Sequence, residues 1–119
     1  MMRALLRSII RNATVTHADS ASLRLDPLLM HAAELLPLER VDLVNVTTGA
    51  HFTTFVEAAA EGSGEVHVHG PARVGDVVSI LCWGFLHEGQ TLAHQAKVVT
   101  VDGKNRVVSL LLSSGDAVH

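Results

Sequence analysis

Apolar and polar positions alternate along much of this chain with the period of two that belongs to a half-buried strand. Residues 40–48 (RVDLVNVTT) and 51–58 (HFTTFVEA) alternate in this way around a turn at Gly49, which predicts a hairpin. Shorter strands are expected at 13–17 (ATVTH) and 65–69 (EVHVH), ended by the small polar run 18–22 (ADSAS) and by Gly70-Pro71. Residues 74–85 (VGDVVSILCWGF) read as a turn followed by a buried strand, and 91–101 and 106–113 flank Asp102-Gly103, a favoured hairpin pair. Two segments follow another rhythm. Arg3, Arg7 and Arg11 recur every four residues with Leu5, Leu6, Ile9 and Ile10 between them, which predicts an amphipathic helix. Asp26-Pro27 offers a capping carboxylate and a proline at the first helical position, so 27–36 (PLLMHAAELL) should be a short helix stopped by Pro37. Many short strands with one or two short helices argue for a mainly-β barrel.

Composition sharpens this picture. The 119 residues show no repeat and no linker, so a single domain over 1–119 is expected. Hydrophobic residues reach 48% against 18% charged, a globular balance, and the runs 77–85 and 107–112 are more apolar than so short a chain can bury alone. An oligomer is therefore expected. With a net charge of −3 and no basic run, a nucleic-acid partner is not supported. The single cysteine, Cys82, lies in an apolar stretch, reads as a small buried hydrophobe and suits a reducing cytoplasm. The three N-terminal arginines interrupt every run that a secretory signal would need, and no stretch approaches the ~20 apolar residues of a membrane span. A cytoplasmic protein without membrane contact is the expectation.

Eight histidines supply the candidate chemistry, because imidazole titrates near neutrality and ligates metals. His67 and His69 flank Val68 and share a strand face, as an acid–base pair or two metal ligands would. No acid or thiol at metal-ligand spacing is expected to accompany them, so no metal site is assigned. His51 shares a face with Thr53 and opposes Thr54, whereas His17 and Asp19 close a strand, where bonding to a turn backbone is the plain reading. His31, His87, His94 and His119 read as structural or surface groups. Ser20 and Ser22 sit in the 18–22 turn, where a serine can be a nucleophile, but no activating base is marked by sequence.

Several segments in order are similar to one known family: MMRALLRS at the start, VTHAD at 15–19, the Asp26 helix with AAELL, NVTTGAHFTTF at 45–55 and HGPARVGDVV at 69–78. Over residues 1–85 the chain resembles the aspartate 1-decarboxylases, and its last third is less alike. The resemblance implies a double-psi β-barrel assembled as a homotetramer with the site at a subunit interface, and it places residues 1–8 in a barrel strand, against the helical rhythm. It further implies a chain that cuts itself at a Gly–Ser bond, the serine becoming a pyruvoyl group that serves as electron sink. The matching serine is Ser22, but Ala21 precedes it, and alanine reaches strained backbone geometry less readily than glycine. Thr54 matches the threonine that assists cleavage. The family's lysine, carboxylate-holding arginine, proton-returning tyrosine and turn asparagine are here Ile9, His51, Phe55 and His69.

Losing a bidentate carboxylate grip and a phenolic proton donor argues against aspartate turnover. The reading is an uncleaved, cofactor-free lyase-like enzyme acting on a small, apolar-leaning substrate. His51 and His69 would handle protons, Ser22 and Thr54 would hydrogen-bond a developing oxyanion, and Ile9, Val44, Phe55, Gly70, Pro71 and Ala72 would line the substrate pocket. The alternatives are a pyruvoyl-dependent amino-acid decarboxylase cleaved between Ala21 and Ser22, and a non-catalytic small-molecule-binding or regulatory protein.

Overall fold

The N-terminal segment is a strand, not a helix: β1 spans Met2–Thr14 in the computed structural model, which describes residues 1–114. A spacing of four is near one helical turn but is also twice the strand period, so the arginines could not discriminate. Pairing decides the matter. β1 lies antiparallel to β6 (Val77–His87) from Met2↔His87 to Thr14↔Val77, and parallel to β7 (Ala96–Val101) from Ser8↔Lys97 to Arg11↔Thr100. Register shifts at Leu6/Ser8 and Ile10/Ala13 bend the strand, and Asn12 takes a left-handed φ of 67° within the second.

The hairpin is close to expectation, as β3 (Arg40–Asn45) and β4 (His51–Ala58) pair from Arg40↔Phe55 to Val44↔His51. Alternation puts Val41, Leu43 and Asn45 of β3 and Thr54 and Val56 of β4 inside, and Val44, His51, Thr53 and Phe55 on the outer face. β2 (Leu23–Leu25) was not anticipated, since three residues carry no period. It runs parallel to β4 with Leu23↔Val56 and antiparallel to β5 (Val66–His67) with Arg24↔His67. The eight strands form one curled sheet in the order β5-β2-β4-β3-β6-β1-β7-β8, with β8 at Val107–Ser113, the mainly-β arrangement of a small double-psi barrel.

The helix α1 covers only Pro27–Ala32, because Glu34 adopts a left-handed φ of 58° and turns the chain before Pro37 is reached. A 3-10 helix, Glu88–Ala93, takes up the first part of the segment expected to be strand from 91. Ile10, Leu23, Leu25, Leu43, Val56, Val66, Val78 and Ile80 are among the core side chains. The last hairpin is tied in by Asn105, which donates to the carbonyls of Thr14 and Gly64 and accepts from the Thr14 amide at 2.8–2.9 Å. No helix among the described residues is long and apolar enough to cross a membrane. Most of the tail expected to fray after Ser113, with His119, lies outside the described residues.

Candidate active site

Two loops face one another at the end of the β3–β4 hairpin, and Asn45 holds both. Its Oδ1 accepts from the amides of Thr47 and Thr48, and its Nδ2 donates to the Pro71 carbonyl at 3.2 Å and to Asp76 at 2.8 Å. Asp76 also accepts from the Arg73 amide, and these bonds, Asn45 first, hold its carboxyl below the ordinary range. Between the loops lies an open cleft of about 560 Å³ lined by Thr48, Ala50, Gly70, Pro71, Ala72, Arg73 and Asp76. Gly70, with φ of 72°, makes the turn that presents Pro71 and Ala72 to the cleft.

The polar candidates fall into two pairs. Thr54, at the inner face of β4, is hydrogen-bonded to Nε2 of His69 at 2.9 Å, and the imidazole stands edge-on against Phe52 with ring centroids 5.4 Å apart. Ser22 is buried and its hydroxyl donates to Glu57 at 2.9 Å, while its amide donates to Ser20 Oγ. By alternation Glu57 and Thr54 leave opposite sides of β4, so the two pairs lie apart. Glu57 is the residue sequence reasoning missed. It comes close to Ser22 only because β2 runs parallel to β4, with Arg24 opposite Glu57.

The remaining predicted residues are spread over the outer face. His51 is exposed and pairs with Val44, Phe55 is 41% exposed, and Ile9 is half-buried between Leu81 and Val98. His51 and His69 thus occupy opposite sides of β4, yet each adjoins a cleft-lining residue, Ala50 and Gly70. His67 and His69 do not act as a pair: His67 stacks on His17, whereas His69 turns to Thr54. Cys82 is buried and donates to Glu39. Burial and that carboxylate push its thiol up to about 11, which leaves it protonated and unreactive near neutrality.

The family model described as aspartate decarboxylase matches residues 1–108. This chain belongs to the aspartate decarboxylase family. The match extends well past residue 85, where the recognisable segments stop, so the last third is family-like in spite of its divergence. The aspartate 1-decarboxylase of Bordetella pertussis is 40% identical over 114 residues, covering 90% of this chain and 93% of that one, and the Bordetella avium enzyme of the same name matches equally well. Identity at that level leaves room for a changed pocket. The residues present do not fit a pyruvoyl group well: alanine precedes Ser22, the Ser22 hydroxyl is held by Glu57, and Ile9, His51 and Phe55 offer none of the ammonium, guanidinium or phenol groups that the resemblance implies.

Proposed function

We propose that this chain is a cytoplasmic lyase of the aspartate decarboxylase family that stays uncleaved and works by histidine acid–base chemistry without a cofactor. The observation that carries this reading is the divided polar apparatus. Ser22 is bound to Glu57 on one side of β4, and Thr54 is bound to His69 on the other, so the hydroxyls expected to cooperate in chain cleavage are each engaged by another partner. Released from Glu57, the Ser22 hydroxyl would have its proton free to stabilise charge in a substrate together with Thr54, and His69 would take or return a proton.

The cleft suits a small molecule with one acid group. Arg73 supplies a cation there, while Ala50, Pro71 and Ala72 offer apolar contact. His69 and His51, each one residue from a cleft-lining residue, would be the proton-handling pair, and Ile9, Val44 and Phe55 would make the outer face apolar where a neighbouring subunit closes the site. Without an electron sink from the protein, decarboxylation would require an acid that carries its own, such as a β-keto acid. Elimination, isomerisation and cyclisation need only the proton transfers. A homotetramer is part of the proposal, supported by the exposed apolar residues Val108, Leu110, Leu111 and Leu112 of β8 and by Phe85 of β6.

Intact-protein mass spectrometry under denaturing conditions, on fresh and aged protein, tests the reading. One species at 12.7 kDa is expected throughout. Two fragments divided between Ala21 and Ser22, the larger sensitive to carbonyl reagents, would overturn it in favour of a pyruvoyl-dependent amino-acid decarboxylase. Against a panel of small acids, His51→Ala and His69→Ala should each lower turnover about 100-fold or more with the fold intact. Ligand binding without turnover in the unaltered protein would instead indicate a regulatory homologue.

A further inference from the structure

Away from the cleft, the end of the first long strand segment meets β5 through a parallel bridge between His17 and His67. There the two imidazoles stack at 4.0 Å between centroids and 4° between planes. Glu65 lies on the same side as His67, two residues earlier, with Oε2 3.5 Å from His67 Nε2. One ligand atom from each of His17, Glu65 and His67 falls within 4.8 Å of the other two. We propose that these three side chains bind a divalent first-row transition ion, best matched by zinc, as a His2Glu site. The inference is independent of the reaction proposed above.

The hydrogen bonds around His17 are compatible with the tautomer that metal binding requires. The Thr16 hydroxyl donates its one proton to the Val66 carbonyl at 3.1 Å and accepts from the Val66 amide at 2.9 Å. With its proton on the Val66 carbonyl it accepts from His17 Nδ1, at 2.8 Å, and in that tautomer Nε2 keeps its lone pair for a metal. His67 Nδ1 lies 3.9 Å from Asp19, which leaves its Nε2 toward Glu65. His17 thus has an oxygen at hydrogen-bond distance behind its ring, as ligating histidines usually do, whereas Asp19 stands behind His67 beyond direct hydrogen-bond reach.

Ligand atoms in a tetrahedral zinc shell lie about 3.4 Å apart, given Zn–N distances near 2.0–2.1 Å. Binding therefore draws the three groups together and tilts the stacked rings towards a common point. Three protein ligands leave a fourth position for water or a small anion. The Glu65 side chain is 33% exposed against 14% for that of His67, so the open position is reached from the Glu65 side.

Zinc titration of chelator-treated full-length protein by calorimetry, with cobalt absorption as a geometric probe, provides the test. One ion per chain at micromolar affinity and the intense visible bands of tetrahedral cobalt are expected. Glu65→Gln and His67→Gln should each weaken zinc by about tenfold or more, Asp19→Asn by a smaller factor, and His87→Gln not at all. Folding of each variant is checked by circular dichroism. Less than one zinc per chain in the unaltered protein overturns the proposal whether or not the variants fold. So does binding that survives His67→Gln, which would assign the ion to other histidines.

Discussion

Single polar side chains do much of the shaping here. Asp26 is almost fully buried, and although burial pushes its carboxyl up, the amides of Leu28, Gly64 and Gly62 outweigh that effect and hold it below the ordinary value. Its folded-state value therefore lies below the unfolded one near 4, so its stabilisation is complete above that pH and is lost as pH falls through the lower folded value. Asp26→Asn should cost about 2–3 kcal/mol in urea denaturation at pH 7, with the difference from the unaltered protein shrinking towards pH 3. Asn45→Ala should cost a similar ~2–3 kcal/mol, because it strands partners in both cleft loops. The cap role of Asp26 was legible from Asp-Pro, but its bonds to Gly62 and Gly64 were not, since they join segments that no local pattern connects. The histidines show the same division. Alternation puts His67 and His69 on one side of Val68, but β5 ends at His67, and that ring stacks on His17 while His69 turns to Thr54 of β4.

At the scale of elements, strands with strict alternation were legible almost to the residue, as with β4, because one buried face enforces the period. Elements without that constraint were not. β2 is too short to show a period, and the 3-10 helix at Glu88–Ala93 has no apolar stripe to announce it. β8 lies at the sheet edge with most of its side chains exposed, including Val108 and Leu111 at 61% and 63%. A bare apolar edge promotes association. In the proposed tetramer these residues are covered, so Leu111→Lys should lower the mass found by light scattering while leaving the circular dichroism of the sheet intact. An unchanged assembly would move the interface elsewhere on the outer face.

For the whole molecule, the barrel was legible through ordered segments of the family pattern rather than through composition, which could reach no further than a mainly-β protein. The site was legible as a set of residue types, but not as two pairs on opposite sides of β4, because that arrangement depends on β2 joining β4 in parallel. The position of β1 in the sheet bears on how the chain comes to be folded. The first strand to be synthesised sits between β6 and β7, which are made late. At about 5–20 residues per second, a nascent chain would carry β1 for several seconds with neither neighbour yet available. Its Leu5-Leu6 and Ile9-Ile10 pairs would be open to solvent for that time, interrupted by three arginines, charges of the kind that oppose pairing between exposed apolar strands.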